Sequence, residues 1–135
     1  MSNVQLARGV YDAFGRGDIP AVLEMMDPDI EWREAEGNPY KPDGKAWLGP
    51  EAVLQNLFMK LGTEWDGFTV HAMEFHDAGS VVVVEGRYTG IYKETGKSLD
   101  TQICHVLKFR EGKLTSFQQY ANTAQLQDVQ GTHVS

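Results

Sequence analysis

The sequence predicts an α+β fold in which three N-terminal helices pack on a strongly curved, mainly antiparallel sheet that encloses a pocket. Early in the chain apolar residues recur at helical spacing, and from Asp66 onward they alternate with a period of two. Short glycine-containing turns join these later segments, as in antiparallel hairpins. Gly86 and Gly90 lie inside one segment, where glycine relieves crowding in a sheet that bends. A curved sheet closed by helices leaves a conical cavity.

Three amphipathic segments predict the helices. The first segment ends at Gly15 and Gly17, and Asp18 can cap the second. The third begins at Gly49 and Pro50. The inward positions of these helices are Leu6, Ala7, Val10, Tyr11, Phe14, Val22, Leu23, Met25, Met26, Leu54, Leu57, Phe58 and Leu61.

A long connection at residues 35–48 separates a short first strand, residues 30–34, from the third helix. A turn at residues 27–29 (DPD) precedes this strand. Connections of that length are uncommon in small domains unless they have a function. We therefore expect residues 35–48 to cover a site.

The remaining strands are predicted at residues 68–75, 81–92, 99–109 and 114–122. A hairpin centred on Thr95 and Gly96 pairs Tyr92 with Leu99, and this register places Gly86 opposite His105. A one-residue slip would exchange the two faces of the sheet. The apolar, inward face then carries Val82, Val84, Gly86, Tyr88, Ile103, His105, Leu107 and Phe109, with Phe117, Gln119, Ala121, Ile30, Trp32 and Glu34 on neighbouring strands.

Length and composition predict a single domain over residues 1–135, with an ordered core at about 4–126 and a frayed, polar C-terminal tail. The net charge of −7 argues against nucleic-acid binding and against anionic membrane surfaces. The sequence contains no long apolar run and no secretory signal, so we expect a soluble, cytoplasmic protein.

The cysteine and histidine content predicts neither a disulfide nor a dedicated metal site. Cys104 is the only cysteine, and the four histidines form no metal-binding motif. His71 and His76 are five residues apart in a strand, which predicts opposite faces and two surface histidines. We expect no metal and no organic cofactor.

Two inward polar residues are the candidate catalytic groups. Glu34 adjoins Trp32 at the start of the long connection, and a carboxylate against an indole in a dry pocket has a raised pKa, suited to a general base. A surface glutamate at a strand end is the alternative, because Glu31 and Glu36 lie nearby. His105 is a lone polar group among aliphatic side chains, and a core histidine bonded to one neighbour is the alternative there.

Several short motifs, in order, carry a resemblance to a known family. Residues 11–18 (YDAFGRGD) resemble the first-helix signature of the SnoaL-like group within the ketosteroid isomerase and nuclear-transport-factor-like superfamily. Further matches are residues 36–40 (EGNPY), 49–53 (GPEAV), 105–113 (HVLKFREGK) and 119–124 (QYANTA), so the resemblance covers about residues 4–126. It implies a cone-shaped barrel, often dimeric through the outer sheet face, with a cofactor-free pocket. The superfamily includes isomerases, cyclases, dehydratases, epoxide hydrolases and non-catalytic binders.

The resemblance assigns roles to some positions and leaves others changed. His105 resembles the position of the steroid isomerases' protonated aspartate, an oxyanion donor, and SnoaL-type cyclases resemble this chain in having a histidine. Gln119 falls where those cyclases keep an acid, and an amide cannot take up a proton. The isomerase base falls near Glu34, whereas its first-helix tyrosine falls on Val10, so that phenol donor is not carried over.

Many relatives end in Tyr-x-Asp-Thr, and Asn122 replaces that aspartate here. The ligand-binding candidates are Trp32, Tyr88, Gln119, Tyr11, Asn122, Phe58 and Leu107, beside the catalytic candidates Glu34 and His105.

The function predicted is cofactor-independent proton transfer, of the isomerase or lyase type, on an apolar carbonyl-like substrate. Glu34 would be the base, His105 would polarise the oxygen that gains charge, and Gln119 and Tyr88 would orient the substrate. The alternatives are a non-catalytic dimeric module that binds a small hydrophobic ligand, and an epoxide or lactone hydrolase. The hydrolase needs an Asp–Arg–Asp arrangement that the inward positions do not supply.

The outer sheet face predicts a homodimer. Its apolar residues are too numerous for a wet surface and its polar residues too numerous for a core, a mixture typical of an interface. Cys104 shares this face, so we expect the partner subunit to cover it and slow its reaction with thiol reagents. The apolar residues are Val81, Val83, Ile91, Val106 and Tyr120, and the polar ones are Glu85, Arg87, Lys108 and Gln118.

Overall fold

The computed structural model describes residues 1–132 and confirms the α+β fold. In chain order the elements are α1 (Asn3–Gly15), α2 (Ile19–Glu24), β1 (Met26–Arg33), β2 (Trp47–Leu48), α3 (Pro50–Val53), a π-helical segment (Leu54–Phe58), α4 (Met59–Glu64), β3 (Trp65–Ala78), β4 (Val81–Tyr92), β5 (Ser98–Arg110), β6 (Lys113–Ala121) and α5 (Thr123–Gln130). Within residues 1–132, no helix combines the length and the apolar character needed to cross a membrane.

The six strands form one sheet in the order β2-β1-β6-β5-β4-β3. Neighbouring strands are antiparallel except β1 and β6, which are parallel. A bulge in β3, between Ala72 and Glu74, lies beside Gly86 of β4. A Cβ atom on Gly86 would lie 2.0 Å from the carbonyl oxygen of His71, so the two backbones can approach only because residue 86 is glycine.

The helix starts follow from capping side chains. Ser2 and Gln5 form a reciprocal capping box before α1, with Ser2 Oγ accepting from the Gln5 amide at 3.1 Å. Asp18 caps α2 as predicted, since its carboxylate accepts from the Ala21 amide at 3.2 Å. These caps fix where the two helices begin and therefore which side chains face the sheet.

The predicted register of the β4–β5 hairpin is wrong by two residues, although its faces are correct. His105 pairs with Val84, and Gly86 pairs with Ile103. Ile91 pairs with Ser98, so the turn is centred one residue earlier than the sequence suggested, which moves every pair by two. Because side chains alternate with a period of two, the inward and outward sets are unchanged.

Two other segments near the N-terminus differ from the prediction. The predicted turn at residues 27–29 lies inside β1, where a register shift between Met26 and Glu31 accommodates Pro28. Glu34 follows directly after the last residue of β1 instead of lying within the strand.

The prediction that His71 and His76 lie on opposite faces of the sheet is wrong. Because of the bulge in β3, both lie on the outer face, where His71 pairs with Arg87 and His76 pairs with Val83.

The chain after Leu126 is helical where a frayed tail was expected. Asn122 caps α5, whose Leu126, Val129 and Gln130 are buried. A short helix with few apolar residues gives a weak sequence signal, but capping and burial stabilise it. Residues 133–135 of the predicted tail lie outside the described residues.

The buried apolar residues form two clusters. The first joins α1, α2 and the π-helical segment to the sheet, and includes Val10, Trp32, Leu57, Phe58 and Phe117. The second joins β3, β4 and β5 to α5, and includes Trp65, Tyr88, Ile103, Leu126 and Val129. Side chains of both clusters line the space described next.

Candidate active site

A cavity lies between the two clusters, with a mostly aromatic and aliphatic wall. Its volume, counted as the space that the centre of a water molecule can reach, is about 60 Å³. A single water needs roughly 10–15 Å³ by this measure, so the cavity has room for several waters or a small organic molecule. The polar side chains on its wall are Tyr11, Glu34, Asn38, Tyr40, Tyr88, His105, Gln119 and Gln130.

Glu34 is a buried carboxylate on this wall, with 2% of its surface exposed. Burial raises its pKa from 4.5 to about 7, and a hydrogen bond from Trp32 opposes that rise. Trp32 Nε1 donates to Glu34 Oε2 at 3.2 Å. The predicted burial and raised pKa of Glu34 are therefore found, and both protonation states are accessible near neutral pH. Its role as a base stays a prediction.

Trp32 is itself held in place by aromatic contacts. Its indole stacks on Phe117 with ring centroids 3.7 Å apart and meets the edge of Phe58 at 5.5 Å. A fixed indole fixes the direction of the N–H group that bonds Glu34. The carboxylate therefore has one oriented oxygen, Oε2.

His105 is buried to the same degree as Glu34 but is bonded on both ring nitrogens. Nδ1 lies 2.6 Å from the hydroxyl of Tyr11, and Nε2 lies 2.5 Å from the hydroxyl of Tyr88. Burial lowers the pKa of His105 to about 3, so the imidazole is neutral at physiological pH. A neutral imidazole carries one N–H, and therefore one nitrogen donates and the other accepts.

Gln119 sets the direction of this hydrogen-bond chain. Its Oε1 accepts from the backbone amide of Ala35 at 3.2 Å and from Asn38 Nδ2 at 2.9 Å. Because a backbone amide can only donate, Oε1 must face it, and Gln119 Nε2 then donates to the Tyr88 hydroxyl at 3.0 Å. The Tyr88 oxygen accepts this bond, so its own proton is available for donation to His105 Nε2.

The same direction continues to Tyr11. If Tyr88 donates to His105 Nε2, then Nδ1–H donates to the Tyr11 oxygen, and the Tyr11 proton remains for a group in the cavity. Burial raises the pKa of both phenols, so both stay protonated at neutral pH. The network presents a hydroxyl donor to the cavity.

The cavity wall includes seven of the nine predicted site residues and excludes two. Trp32, Glu34, Tyr88, His105, Gln119, Tyr11 and Phe58 line it. Leu107 faces inward but is fully buried within the first cluster, where packed neighbours separate it from the cavity. Asn122 is exposed and caps α5 by accepting from the Gln125 amide at 3.1 Å. These two assignments are corrected.

Several cavity residues were not among the predicted site residues. Asn38 and Tyr40 come from the long connection, within the matched segment 36–40, which could have indicated them. The Tyr40 hydroxyl donates to Glu64 Oε1 at 2.7 Å and accepts from Trp65 Nε1 at 2.9 Å, so the connection is tied to the end of α4. Gln130 gave no sequence signal, because residues after Leu126 were expected to be frayed.

One group of potential metal ligands lies outside the cavity. Atoms of Glu74, His76 and Glu85 lie within 4.8 Å of one another on the exposed outer face. His76 Nε2 is 2.6 Å from Glu85 Oε2 and 3.6 Å from Glu74 Oε2. A surface hydrogen bond between His76 and Glu85, with Glu74 beside it, accounts for this arrangement.

The order of elements and the matched segments identify the family. The sequence profile described as the SnoaL-like domain matches residues 7–117. The chain belongs to this family. A comparison with curated proteins gives no significant match.

Solved structures place this SnoaL-like domain among the NTF2-like proteins. An NTF2-like protein from Burkholderia thailandensis is 33% identical, with a TM-score of 0.89 over 96% of this chain and 97% of the other. TerC, co-crystallised with polyporic acid, is 26% identical, with a TM-score of 0.80 over 96% and 98%. A putative SnoaL-like polyketide cyclase from Jannaschia sp. CCS1 is 17% identical, with a TM-score of 0.80 over 97% and 93%, and shows the shared fold alone.

The chemistry available in this SnoaL-like domain is acid–base chemistry. One buried carboxylate titrates near neutral pH, and a hydrogen-bond network ends at a phenol. Groups with shifted pKa values in an apolar cavity are characteristic of functional sites. The arrangement can move a proton and stabilise an oxygen that gains negative charge.

Proposed function

We propose that this SnoaL-like domain is a cofactor-independent enzyme that moves a proton on a small, neutral, carbonyl-like substrate. The observation that carries the proposal is Glu34: a carboxylate with 2% exposure and a pKa of about 7, on the wall of an apolar cavity. A general base works best when its pKa lies near the working pH. Glu34 has that property because burial disfavours its charged form.

The proton transfer needs no co-reactant. The Glu34 carboxylate removes a proton from a carbon next to the carbonyl group, and the electron pair moves onto the carbonyl oxygen as an enolate. The neutral carboxylic acid then returns the proton to a different carbon of the conjugated system, which completes an isomerisation. Substrate and product have the same atoms and charge.

The enolate oxygen accepts its hydrogen bond from a tyrosine hydroxyl and not from His105 itself. Tyr11 and Tyr88 occupy both nitrogens of His105, so the imidazole acts through a phenol. When Tyr88 donates to His105 and His105 donates to Tyr11, the Tyr11 hydroxyl can donate its own proton to the enolate oxygen. Preorganised donors at a developing charge are among the largest contributors to catalysis.

The cavity also limits the substrate. An anionic group next to Glu34 would disfavour the charged base, so a neutral substrate is favoured. The aromatic wall suits an apolar body. The similar structure of TerC was co-crystallised with a small organic molecule, polyporic acid, which supports the proposal that this cavity binds one too.

The test follows α-proton exchange in D2O, by NMR, for a panel of small ketones, enones and lactones. Glu34→Gln keeps the side-chain shape but removes the proton acceptor, so the exchange rate should fall by about 10²–10⁴-fold. Glu36→Gln, an exposed glutamate two residues later, is the matched control and should retain the wild-type rate. Equal rates in wild type and Glu34→Gln would overturn the proposal.

A non-catalytic ligand-binding module is the second candidate, because both nitrogens of His105 are bonded within the fold. A fully bonded histidine also satisfies a purely structural role. Native mass spectrometry of protein purified from its own host would show a bound molecule, while exchange would be absent across the panel. Hydrolysis of epoxides is not proposed, since no arginine lines the cavity in the part of the chain described.

The outer sheet face is proposed as a homodimer interface. Met73 and Tyr120 are 66% and 57% exposed there, and Ile91 is exposed as well. Burial and then Glu85 raise the pKa of Cys104, which lies on the same face, and both effects slow its reaction with thiol reagents. Sedimentation should give a dimer at micromolar concentration. A monomer near 15.1 kDa, or rapid Cys104 labelling, would contradict the interface.

A further inference from the structure

Gln130 is a buried polar side chain on the cavity wall that lacks a hydrogen-bond partner. It is 6% exposed, and its Nε2 group bonds to nothing within the described chain. Within residues 1–132, this Nε2 is the only buried side-chain nitrogen or oxygen atom without a hydrogen-bond partner. A buried donor without an acceptor is costly, so such a group in a folded protein requires an explanation.

The position of Gln130 is fixed by well-packed neighbours. It lies in the last turn of α5, one turn after Leu126, and both side chains line the cavity. Thr95 Oγ1 donates to the Val129 carbonyl at 2.6 Å, and Gln127 Nε2 donates to the Gly37 carbonyl at 2.9 Å. These contacts hold α5 against the hairpin and the long connection. The fold therefore positions the Gln130 side chain beside the cavity, while its amide group is free to rotate.

Gln130 is separate from the network around His105. That network runs from Asn38 through Gln119 and Tyr88 to His105 and Tyr11, and each link is a hydrogen bond. No hydrogen bond joins Gln130 to it among residues 1–132. The cavity wall therefore carries two independent donors: the Tyr11 hydroxyl, and the Gln130 amide, which no hydrogen bond of the described residues holds in its present rotamer and which a side-chain rotation would turn toward the cavity.

We propose that Gln130 determines substrate specificity by donating a hydrogen bond from Nε2 to a second oxygen of the ligand. The ligand class is then a small, neutral, apolar molecule with two oxygen functions: a carbonyl group at Glu34 and Tyr11, and a further carbonyl, ether or hydroxyl oxygen at Gln130. This inference rests on the proposed site but concerns binding alone. A site built to hydrogen-bond a ligand oxygen discriminates against the analogue that lacks it, because its own donor is then left unpaired.

Two pairs of phenols of nearly equal shape test the proposal. In 4-hydroxyacetophenone and 3-hydroxyacetophenone the ring carries a ketone, which 4-isopropylphenol and 3-isopropylphenol replace with an apolar branch. In each probe the phenol hydroxyl is meant to bond with Glu34 and Tyr11. The second substituent, in the para or the meta position, then points toward Gln130 at one of two angles. Dissociation constants are measured by isothermal titration calorimetry for wild type, Gln130→Met and the control Gln55→Met.

Gln130→Met keeps the length of the side chain and removes its donor. The ratio of the isopropylphenol and hydroxyacetophenone dissociation constants should fall about tenfold relative to wild type for at least one pair, the value of one hydrogen bond. Gln55→Met makes the same change at an exposed glutamine outside the cavity and should leave the ratio unchanged. Gln130→Leu repeats the measurement with a shorter side chain, in case methionine fills the cavity.

Three outcomes would overturn the proposal. The first is equal ratios in wild type and both Gln130 variants, and the second is a fall in the ratio for Gln55→Met as well. The third is no binding of the four phenols to wild type. The binding ratio does not depend on turnover. Absence of α-proton exchange would reject the enzyme while leaving the ratio intact, and an unchanged ratio in an active enzyme would reject only the role of Gln130.

Discussion

Two polar regions of the cavity are equally buried but differ in how completely they are hydrogen-bonded. Glu34 and His105 are each 2% exposed. Trp32 is the donor found for Glu34, whereas both nitrogens of His105 have tyrosine partners. Burial raises the pKa of Glu34 to about 7 and lowers that of His105 to about 3.

The comparison shows that burial alone does not make a group reactive. The imidazole is held in its neutral form, which its neighbours satisfy fully. The carboxylate can change protonation near neutral pH because neither of its forms is fully stabilised. We therefore expect substitution of His105 to lower mainly the free energy of unfolding, and substitution of Glu34 to lower mainly the rate of proton transfer. The following variants test that division.

Removing His105 should have the largest effect on stability. His105→Leu leaves the Tyr11 and Tyr88 hydroxyls buried without their partner, at about 1–3 kcal/mol each, so the free energy of unfolding should fall by about 2–5 kcal/mol. Urea denaturation measures the change. Adding Tyr11→Phe removes one of the two unpaired hydroxyls and should recover part of the loss, whereas Tyr88 is kept because its hydroxyl also accepts from Gln119. A loss below about 0.5 kcal/mol for His105→Leu would show that the network does not stabilise the fold.

Glu34→Gln should stabilise the protein at neutral and alkaline pH. A folded-state pKa of about 7, raised from 4.5, means that ionisation of Glu34 opposes folding as pH rises from 4.5 to 7. At about 1.4 kcal/mol per pKa unit, the variant should gain up to about 3 kcal/mol at pH 8 and little at pH 4. Urea denaturation at both pH values checks this. Glu31→Gln, on the exposed side of β1, is the control, and a gain for Glu34→Gln that is equal at both pH values would contradict the pKa.

The pH dependence of stability should separate the two groups. For His105 the folded pKa is lowered from 6.5 to about 3, so its contribution is complete above pH 6.5 and is lost as pH falls toward 3. Between pH 4.5 and 6.5 the contributions of Glu34 and His105 have opposite signs and cancel. Between pH 4.5 and 6.5, Glu34→Gln should therefore show a rise in stability of about 1.4 kcal/mol per pH unit, a His105 contribution that Glu34 cancels in wild type. Identical slopes in the two proteins would exclude this pair as the cause.

The faces of the strands could be predicted from the sequence because alternation is a local property. Val84, Tyr88 and His105 point inward as expected, even though the hairpin register was wrong by two residues. A period-two pattern is unchanged by a two-residue shift, so the pattern cannot detect that error. Glu34 was identified for the same reason, from its shared face with Trp32.

Contacts between distant segments could not be predicted in this way. The two bonds of His105 join residues 94 and 17 positions apart in the chain, and no spacing rule specifies them. Asn122 was expected at the site because it replaces an aspartate that many relatives of the family have there, but in this chain its side chain caps α5. Gln130 depends on how α5 packs, which its few apolar residues do not indicate.

The smallest effect should distinguish the two tyrosines of the network. Tyr88→Phe removes a hydroxyl that bonds both His105 and Gln119, so it should lower stability by about 1–3 kcal/mol. Tyr11→Phe removes the terminal hydroxyl. Within the described residues this hydroxyl has one hydrogen bond, to His105, so its loss should cost about 1 kcal/mol or less.

Ligand binding should show the reverse order if the network runs from Gln119 toward Tyr11. Tyr11→Phe should weaken the affinity for a phenol probe about tenfold, since it removes the hydroxyl that donates to the ligand. Tyr88→Phe should weaken that affinity less. Urea denaturation and calorimetric titration of the same two variants measure both orders. A larger loss of affinity in Tyr88→Phe would mean that His105 donates from Nε2, and that Tyr88 presents its proton to the cavity.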